Sequence, residues 1–346
     1  MSAPRYIELH AHSCYSLLDG VSQPAALVEA AVAAGMQALA LTDHDGLYGA
    51  LPFIQAAQAA GLKPILGAEL TLEDSSHLTL LAADAEGYAN LCTLVTLAHR
   101  GQPKGQARLP WAALPEHAAG LVVLSGCREG LVPQLLRERR YHTARAVAER
   151  LAGWFPGRCY LELQRHYLPG EVRLLRDLLS LGETLSLPVV ATGNVHYLHA
   201  EEQRLHDVLT CIRRHTTLET AGDGLWPNDE LRWRSLTEVQ AAFAAAPTTL
   251  ANTLAVAASC ASAATFLPAG HQPLPAFAAT DALGTLHELC QTALARRYPH
   301  QPPRALLEQE LAVIAELDLA NYFLIVWDLV RYAREQGIRC QGRGSA

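Results

Sequence analysis

His10 and His12, Asp43 and His44, Glu69, His99, Cys127 and His196 are all potential metal ligands, and nearly all of them follow an apolar run. Two residues two apart on an extended segment project from the same face, so His10 and His12 aim two imidazoles at one point. Asp43 and His44 end the run Ala38–Thr42, and Glu69 ends Ile65-Leu66-Gly67-Ala68, where Gly67 permits close backbone approach. Cys127 follows Val122-Val123-Leu124-Ser125-Gly126, and Asn194 and His196 repeat the two-apart spacing after Val189-Val190-Ala191-Thr192. Taken singly, several have ordinary readings. A lone Cys is a small buried hydrophobe, His99 ends a helix whose dipole favours a protonated ring, and Asp19-Gly20 is a turn pair whose carboxylate becomes a ligand only if the loop folds back over the site. Recurrence at strand ends is harder to explain that way, because this is how a barrel delivers ligands to one rim. Mixed His, Asp, Glu and Cys donors in this number suit two or three divalent ions of the zinc, manganese or iron type. Adjacent ions activate water and clamp a phosphoryl group. The expected chemistry is therefore phosphoester hydrolysis by a metal-bound hydroxide, with Asp43 and His44 beside it and no side-chain nucleophile.

The elements that must position these residues follow a βα rhythm over the first 215 residues. Strands are predicted at Tyr6–His12, Ala38–Thr42, Pro64–Leu72, Leu121–Ser125, Cys159–Gln164 and Pro188–Thr192, with His77–Ala83 pairing beside the third run. Helices fall between them, including Tyr88–His99 and Glu171–Ser186. Parallel βα units this dense favour a barrel or doubly wound sheet. Beyond a loop at Thr216–Pro227 the pattern turns helical: Leu236–Cys260, broken at Pro247, then a Pro- and Gly-bearing linker at Ala263–Ala279. Three helices follow, near Ala282–Arg297, Arg304–Leu317 and Tyr322–Gln336. The chain stops in a Gly-rich turn, Gly342–Ala346, which reads as the start of a domain it does not complete.

Composition narrows the classes. A chain of 346 residues, half of them hydrophobic, can hold one barrel and a smaller second unit. A net charge of −7 argues against wholesale electrostatic binding of nucleic acid and leaves room for a local basic face. None of the eight cysteines pairs with another at knuckle or redox spacing, and no secretory leader or unbroken apolar span of about 18 residues is visible, so a reducing cytoplasm is expected. The basic run Arg137, Arg139, Arg140, Arg145 and Arg150 reads as a solvated face. Arg165 and His166 read as rim residues within reach of a phosphate, and His206 as structural. His77, His117, His142, His215 and His271 read as surface residues.

His10-Ala11-His12-Ser13, Thr42-Asp43-His44, Gly67-Ala68-Glu69, Ser125-Gly126-Cys127 and Asn194-Val195-His196 together resemble the ordered motifs of the polymerase and histidinol phosphatase (PHP) domain. The form they resemble most opens the alpha subunit of bacterial DNA polymerase III, a C-family polymerase. Asn321–Asp328 followed by Gly342-Arg343-Gly344-Ser345 is similar to the start of that family's palm. Cys340–Ala346 and Asp45-Gly46-Leu47-Tyr48-Gly49 are more similar to the error-prone branch than to the main replicase.

The resemblance implies an α/β fold: a distorted (β/α)7 PHP-type barrel over residues 1–215, a helical extension and linker over 216–280, and an all-helical start of a palm over 281–346. It implies His10, His12, Asp19, His44, Glu69, His99, Cys127, Asn194 and His196 as metal ligands, with Asn194 standing where the family carries Asp and Asp43 at a neighbouring acidic position. Gly344 and Ser345 match a pair that lies near the incoming nucleotide's phosphates, a reasonable use of exposed backbone N–H groups. The implied activity is nucleotidyl transfer by a DNA-directed DNA polymerase in replication and damage-tolerant repair, with magnesium, and with 3′–5′ exonuclease or phosphodiesterase activity at the PHP cluster. The implied partners are DNA, dNTP, a sliding clamp and accessory proteins of error-prone synthesis, with no membrane. A free-standing PHP phosphoesterase acting on small esters and a non-catalytic PHP scaffold are the alternatives. Because the family's palm carboxylates lie beyond the Gly-Ser pair, the purified 346-residue chain is expected to incorporate no nucleotide in a primer-extension assay.

Overall fold

The computed structural model describes residues 6–267, 275–277 and 281–342, and the chain divides into two compact units, Met1–Ala269 and Gly270–Ala346. The first unit is built on a curled six-stranded sheet whose strands follow chain order. They are β1 (Ala38–Leu41), β2 (Lys63–Thr71), β3 (His77–Ala82), β4 (Leu121–Leu124), β5 (Cys159–Gln164) and β6 (Val189–Thr192). Covering them are α1 (Pro24–Ala33), α2 (Ala50–Ala59), α3 (Ala85–His99), α4 (Leu131–Arg137), α5 (Tyr141–Trp154), α6 (Glu171–Leu185) and α7 (Gln203–Arg213). β1, β4 and β6 are buried at every position, as expected of short Val, Leu and Ala runs covered on both faces.

Pairing is not parallel throughout. β1–β2, β4–β5 and β5–β6 are parallel, whereas β3 runs antiparallel to both β2 and β4. The connection between Thr71 and His77 is too short for a crossover, so only a hairpin can join them. β3 therefore brings its first residue, not its last, to the rim where the parallel strands end. The extended segment at 6–12 forms no regular ladder, in contrast to the strand expected at Tyr6–His12. It is nonetheless wedged between the sheet's two ends. Its Glu8 and Ala11 carbonyls accept from the Ala40 and Thr42 amides, His12 N–H donates to the Val195 carbonyl, and Val195 N–H donates to the His10 carbonyl. These bonds close the curl.

Two later helices, α8 (Leu236–Ala242) and α9 (Thr248–Ser259), pack Val239, Phe243, Leu250 and Val256 into the same core. A short α10 (Ala263–Phe266) lies within the segment expected to be linker, and residues 268–274 and 278–280 are outside the described residues. The apolar stretch Thr248–Phe266 has the length and composition to cross a bilayer, yet Leu250, Thr253, Val256 and Ala257 are buried in the barrel unit. The second unit consists of α11 (Ala282–Arg297), α12 (Arg304–Glu316) and α13 (Ala320–Glu335) around Leu286, Leu311, Ala320 and Leu324. Asn321 Oδ1 accepts from the Phe277 amide at 2.8 Å within that unit.

One loop shows how tightly the rim is built. A Cβ at Gly20 would lie 1.9 Å from the Ser13 carbonyl oxygen, so the chain after Asp19 passes where only glycine fits. Gly20→Ala is expected to cost about 1–3 kcal/mol or more in urea unfolding, with the midpoint shifted and the slope unchanged.

Candidate metal centre

The backbone registers converge the side chains. The parallel β1–β2 pairing runs on past its strands as a single bridge between His44 and Glu69. A bridge between Ala11 and Val195 sets His12 beside Asn194 and His196. The bridge between His77 and Gly130 sets His77 beside Cys127, and the Cys127 sulfur lies 3.5 Å from His77 Nδ1.

Glu69 sits at the middle. Its carboxylate is 1% exposed, and neither oxygen accepts a hydrogen bond. Its Oε2 lies 3.5 Å from His10 Nε2, 3.5 Å from His12 Nε2 and 3.1 Å from His44 Nε2, while Oε1 lies 3.5 Å from His77 Nδ1. Burial alone would push this carboxyl's pKa up. The His44, His10 and His77 rings outweigh burial and hold it well below the usual carboxylate range.

Asp19 plays the same part on the outer side. Its Oδ2 is 3.1 Å from both His44 Nε2 and His196 Nε2, and its Oδ1 accepts from Arg213 at 2.6 Å. Burial opposes its charge, and His196, His206 and His44 prevail, so it too stays ionised. His12 is held well below its ordinary pKa by burial and by the facing His196 and His44 rings, which leaves a neutral imidazole.

Around this cluster a layer of hydrogen bonds fixes ring orientation. His10 Nδ1 is 2.6 Å from Glu162 Oε1, so the ring donates there, and its Nε2 has no hydrogen-bond partner. Burial works against charge on His10, yet Glu162 and Glu69 raise its pKa well above the ordinary value. His196 Nδ1 donates to the Asn194 carbonyl at 2.9 Å, leaving Nε2 toward Asp19. Asp43 accepts from Ser13 N–H at 2.7 Å and Ser16 Oγ at 2.7 Å, and Ser16 in turn contacts His12 Nδ1 and receives the His44 amide. Burial raises the Asp43 pKa, against those donors. Partners of this kind set which ring nitrogen is free to ligate.

Among the described residues, four groups bring ligand atoms within 4.8 Å of one another: His12, His44 and His196; His10, His12 and Glu69; Asp19, His196 and His206; His44, Glu69 and His77. The donor set fits divalent cations. Buried polar atoms left unpartnered cost about 1–3 kcal/mol each, and His10 Nε2, both Glu69 oxygens and both His206 ring nitrogens are all in that state. A cation ringed by them removes the penalty.

The expected set and the assembled set differ in detail. His10, His12, Asp19, His44, Glu69 and His196 meet, Asn194 Oδ1 touches His12 Nε2 at 3.1 Å, and Cys127 adjoins His77. Asn194 reaches that position from a left-handed φ of 49°, which Asn tolerates. His99 is not in any of the four groups. Its Nε2 donates to the Asp45 carbonyl at 2.6 Å, and Asp45 also accepts from Thr71 through both carboxylate oxygens. His99 thus braces the turn that carries His44. Asp43 likewise stands behind the cluster rather than in it. Gly344 and Ser345 lie outside the described residues.

In sequence His77 reads as a surface residue, His206 reads as structural and Glu162 is passed over, yet all three lie at or beside the cluster. His77 was expected on the surface because it precedes an apolar run instead of ending one. The five-residue gap before it, too short for a crossover, was the available signal. His166, expected near phosphate, is 1% exposed and donates from Nε2 to the Gly193 carbonyl at 2.9 Å, a satisfied interior ring. Arg165 stacks on Tyr167, and Arg137, Arg140 and Arg145 pair locally with Glu129, Glu138 and Glu149.

Residues 8–166 match the PHP domain profile, and residues 284–346 match that of the bacterial DNA polymerase III alpha NTPase domain. An error-prone DNA polymerase from Symbiobacterium thermophilum is 44% identical over 99% of this chain and 33% of its own length. Error-prone DNA polymerases from Mycolicibacterium paratuberculosis and Dechloromonas aromatica are 37% and 38% identical over all of this chain and 33% of theirs. The chain thus spans about a third of the curated relatives it matches. Among solved structures, an amidohydrolase from Chromobacterium violaceum covers 55% of this chain and 87% of that one, at 17% identity and a TM-score of 0.37, too slight a likeness to bear on function.

The geometry separates the two disputed histidines. His77→Ala is expected to lower the divalent metal held by the purified protein, measured by elemental analysis, whereas His99→Ala keeps the metal and loses thermal stability instead. Equal metal content in the two variants would contradict this assignment.

Proposed function

The chain belongs to the PHP-bearing bacterial DNA polymerase III alpha family, and from that premise we propose that it is the N-terminal portion of an error-prone DNA polymerase whose PHP barrel carries a metal-dependent phosphodiesterase centre of 3′–5′ exonuclease type. The observation that carries the second part is Glu69, a buried carboxylate with no hydrogen bond, ringed by His10, His12, His44 and His77. The whole-length match to long polymerases weighs against a free-standing phosphoesterase.

In this reading the full-length protein transfers a nucleotide from dNTP to a primer 3′-OH in the cytoplasm, using magnesium at palm carboxylates, with a sliding clamp and accessory proteins of error-prone synthesis as partners. Gly344 and Ser345 cradle the nucleotide's phosphates. Within the barrel, His10, His12, Glu69, His77, Cys127, His44, Asp19 and His196 are the residues that would hold two or three divalent ions of the zinc, manganese or iron type. Such ions, when bound, supply Lewis-acid activation of water and charge stabilisation at phosphorus. The chain's own groups set the stage. Glu162 fixes the His10 tautomer through Nδ1, Asp43 and Ser16 fix His12 and His44, and the Asn194 carbonyl fixes His196.

Asn194 decides how strong the activity is. It offers a neutral amide where the family carries a carboxylate, so one anionic donor is absent and the adjoining ion is held less tightly. The test is degradation of 3′-labelled single-stranded DNA with metal analysis in parallel. The wild-type chain is expected to shorten DNA in a manner abolished by His12→Ala and by chelation, and Asn194→Asp is expected to speed it by roughly tenfold or more, as metal-site changes commonly do. Full metal occupancy with no turnover in either wild type or Asn194→Asp would instead identify a non-catalytic scaffold.

A further inference from the structure

One histidine of the four groups, His206, stands outside the ligand set proposed above. His206 is 4% exposed, and neither its Nδ1 nor its Nε2 has a hydrogen-bond partner. It lies in the first turn of α7, and Thr210 and Arg213 follow four and seven residues on, which puts all three on one helix face. That face looks at Asp19. His206 Nε2 is 3.6 Å from Asp19 Oδ1, beyond hydrogen-bonding distance, and the His206 and His196 rings stand edge to face with centroids 5.5 Å apart. Arg213 meets the same Asp19 oxygen at 2.6 Å. Two imidazoles and a carboxylate converge, and a guanidinium supplies the only full positive charge that Asp19 touches directly from this helix.

We propose that His206 is a ligand of an outer cation position formed with Asp19 and His196, and that Arg213 is a built-in competitor that neutralises Asp19 when that position is empty. Two histidines and one carboxylate are the donor set of zinc and non-haem iron sites, so the ligand is a divalent ion of that type. His206 is otherwise hard to account for. A buried ring with two idle nitrogens is an expense the fold has no need of, since a Leu of similar volume would pack there. Arg213 is 45% exposed at its side chain and can leave Asp19 for solvent without a void opening behind it. Released, it stands at the rim as a planar donor suited to a phosphate oxygen. Occupancy of the outer position thereby couples to a free anion-binding group at the mouth of the site.

This rests on the metal-centre reading above, and the experiment separates the two. The apo chain is titrated with Co²⁺ alone, followed by visible absorption and equilibrium dialysis, for wild type, His206→Gln and Arg213→Gln, with circular dichroism melts as the folding control. The expected result has opposite signs. His206→Gln binds one equivalent fewer while the remaining ions bind unchanged, and Arg213→Gln binds the outer ion roughly fivefold to tenfold more tightly, the scale of one removed ion-pair partner. A merely structural helix contact would weaken both. If His206→Gln matches wild type in stoichiometry and affinity, or if Arg213→Gln weakens binding, the proposal is wrong while the inner centre stands. Wild type that takes up no cobalt would sink both together.

Discussion

The first unit is organised around one electrostatic constraint, the buried charge of Glu69. An ionised carboxylate without hydrogen bonds deep in a protein is costly unless opposite charge surrounds it. Here the His44, His10 and His77 rings do so, from the end of β1, the extended N-terminal segment and the start of β3, with neutral His12 beside them. Their own orientations are fixed in turn by Glu162, Ser16 and Asp43. The arrangement is partly prepared for a cation: Glu69 and Asp19 are held ionised and His12 neutral, while His10 and His44, whose pKa values are raised, must give up a proton to ligate. Metal ligands must be deprotonated, so such a site has already met part of the cost of binding.

The sheet serves that constraint. A regular parallel barrel would deliver ligands only from strand ends, but the reversed β3 delivers His77 from its start, where it pairs with Thr71 and its Nδ1 comes within 3.5 Å of Glu69 Oε1. The N-terminal segment gives up ladder regularity and in exchange bridges both ends of the sheet, bringing His10 and His12 into the mouth. Single bridges, not full strands, make the final placements of His44 and His12. That economy is affordable because the hydrophobic walls behind them, among them Leu39, Ile65, Leu80 and Val123, are fully buried and hold the strands rigidly.

The helix after the last strand belongs to the same logic. α7 closes the outer side of the cluster with His206 and Arg213, and α8 and α9 complete the core beneath β6. The second unit is different in kind, three helices with a small apolar centre and many exposed apolar side chains, such as Leu317, Tyr322, Leu329 and Tyr332. It is the part that matches the DNA polymerase III alpha NTPase domain profile.

The sequence by itself determined the βα rhythm, the candidate ligand types and the two-apart pairs at His10–His12 and Asn194–His196. Each depends on local periodicity, which a linear string preserves. Only the tertiary structure showed that His77 comes within reach of Glu69 while His99 turns to the Asp45 carbonyl, because those placements depend on strand direction. A histidine that begins a strand looks like a surface residue in the string, and nothing local shows that a histidine ending a helix will meet the Asp45 carbonyl. Glu162 was likewise invisible, since its partner His10 lies 152 residues away and only the closing of the sheet brings the two within hydrogen-bonding distance.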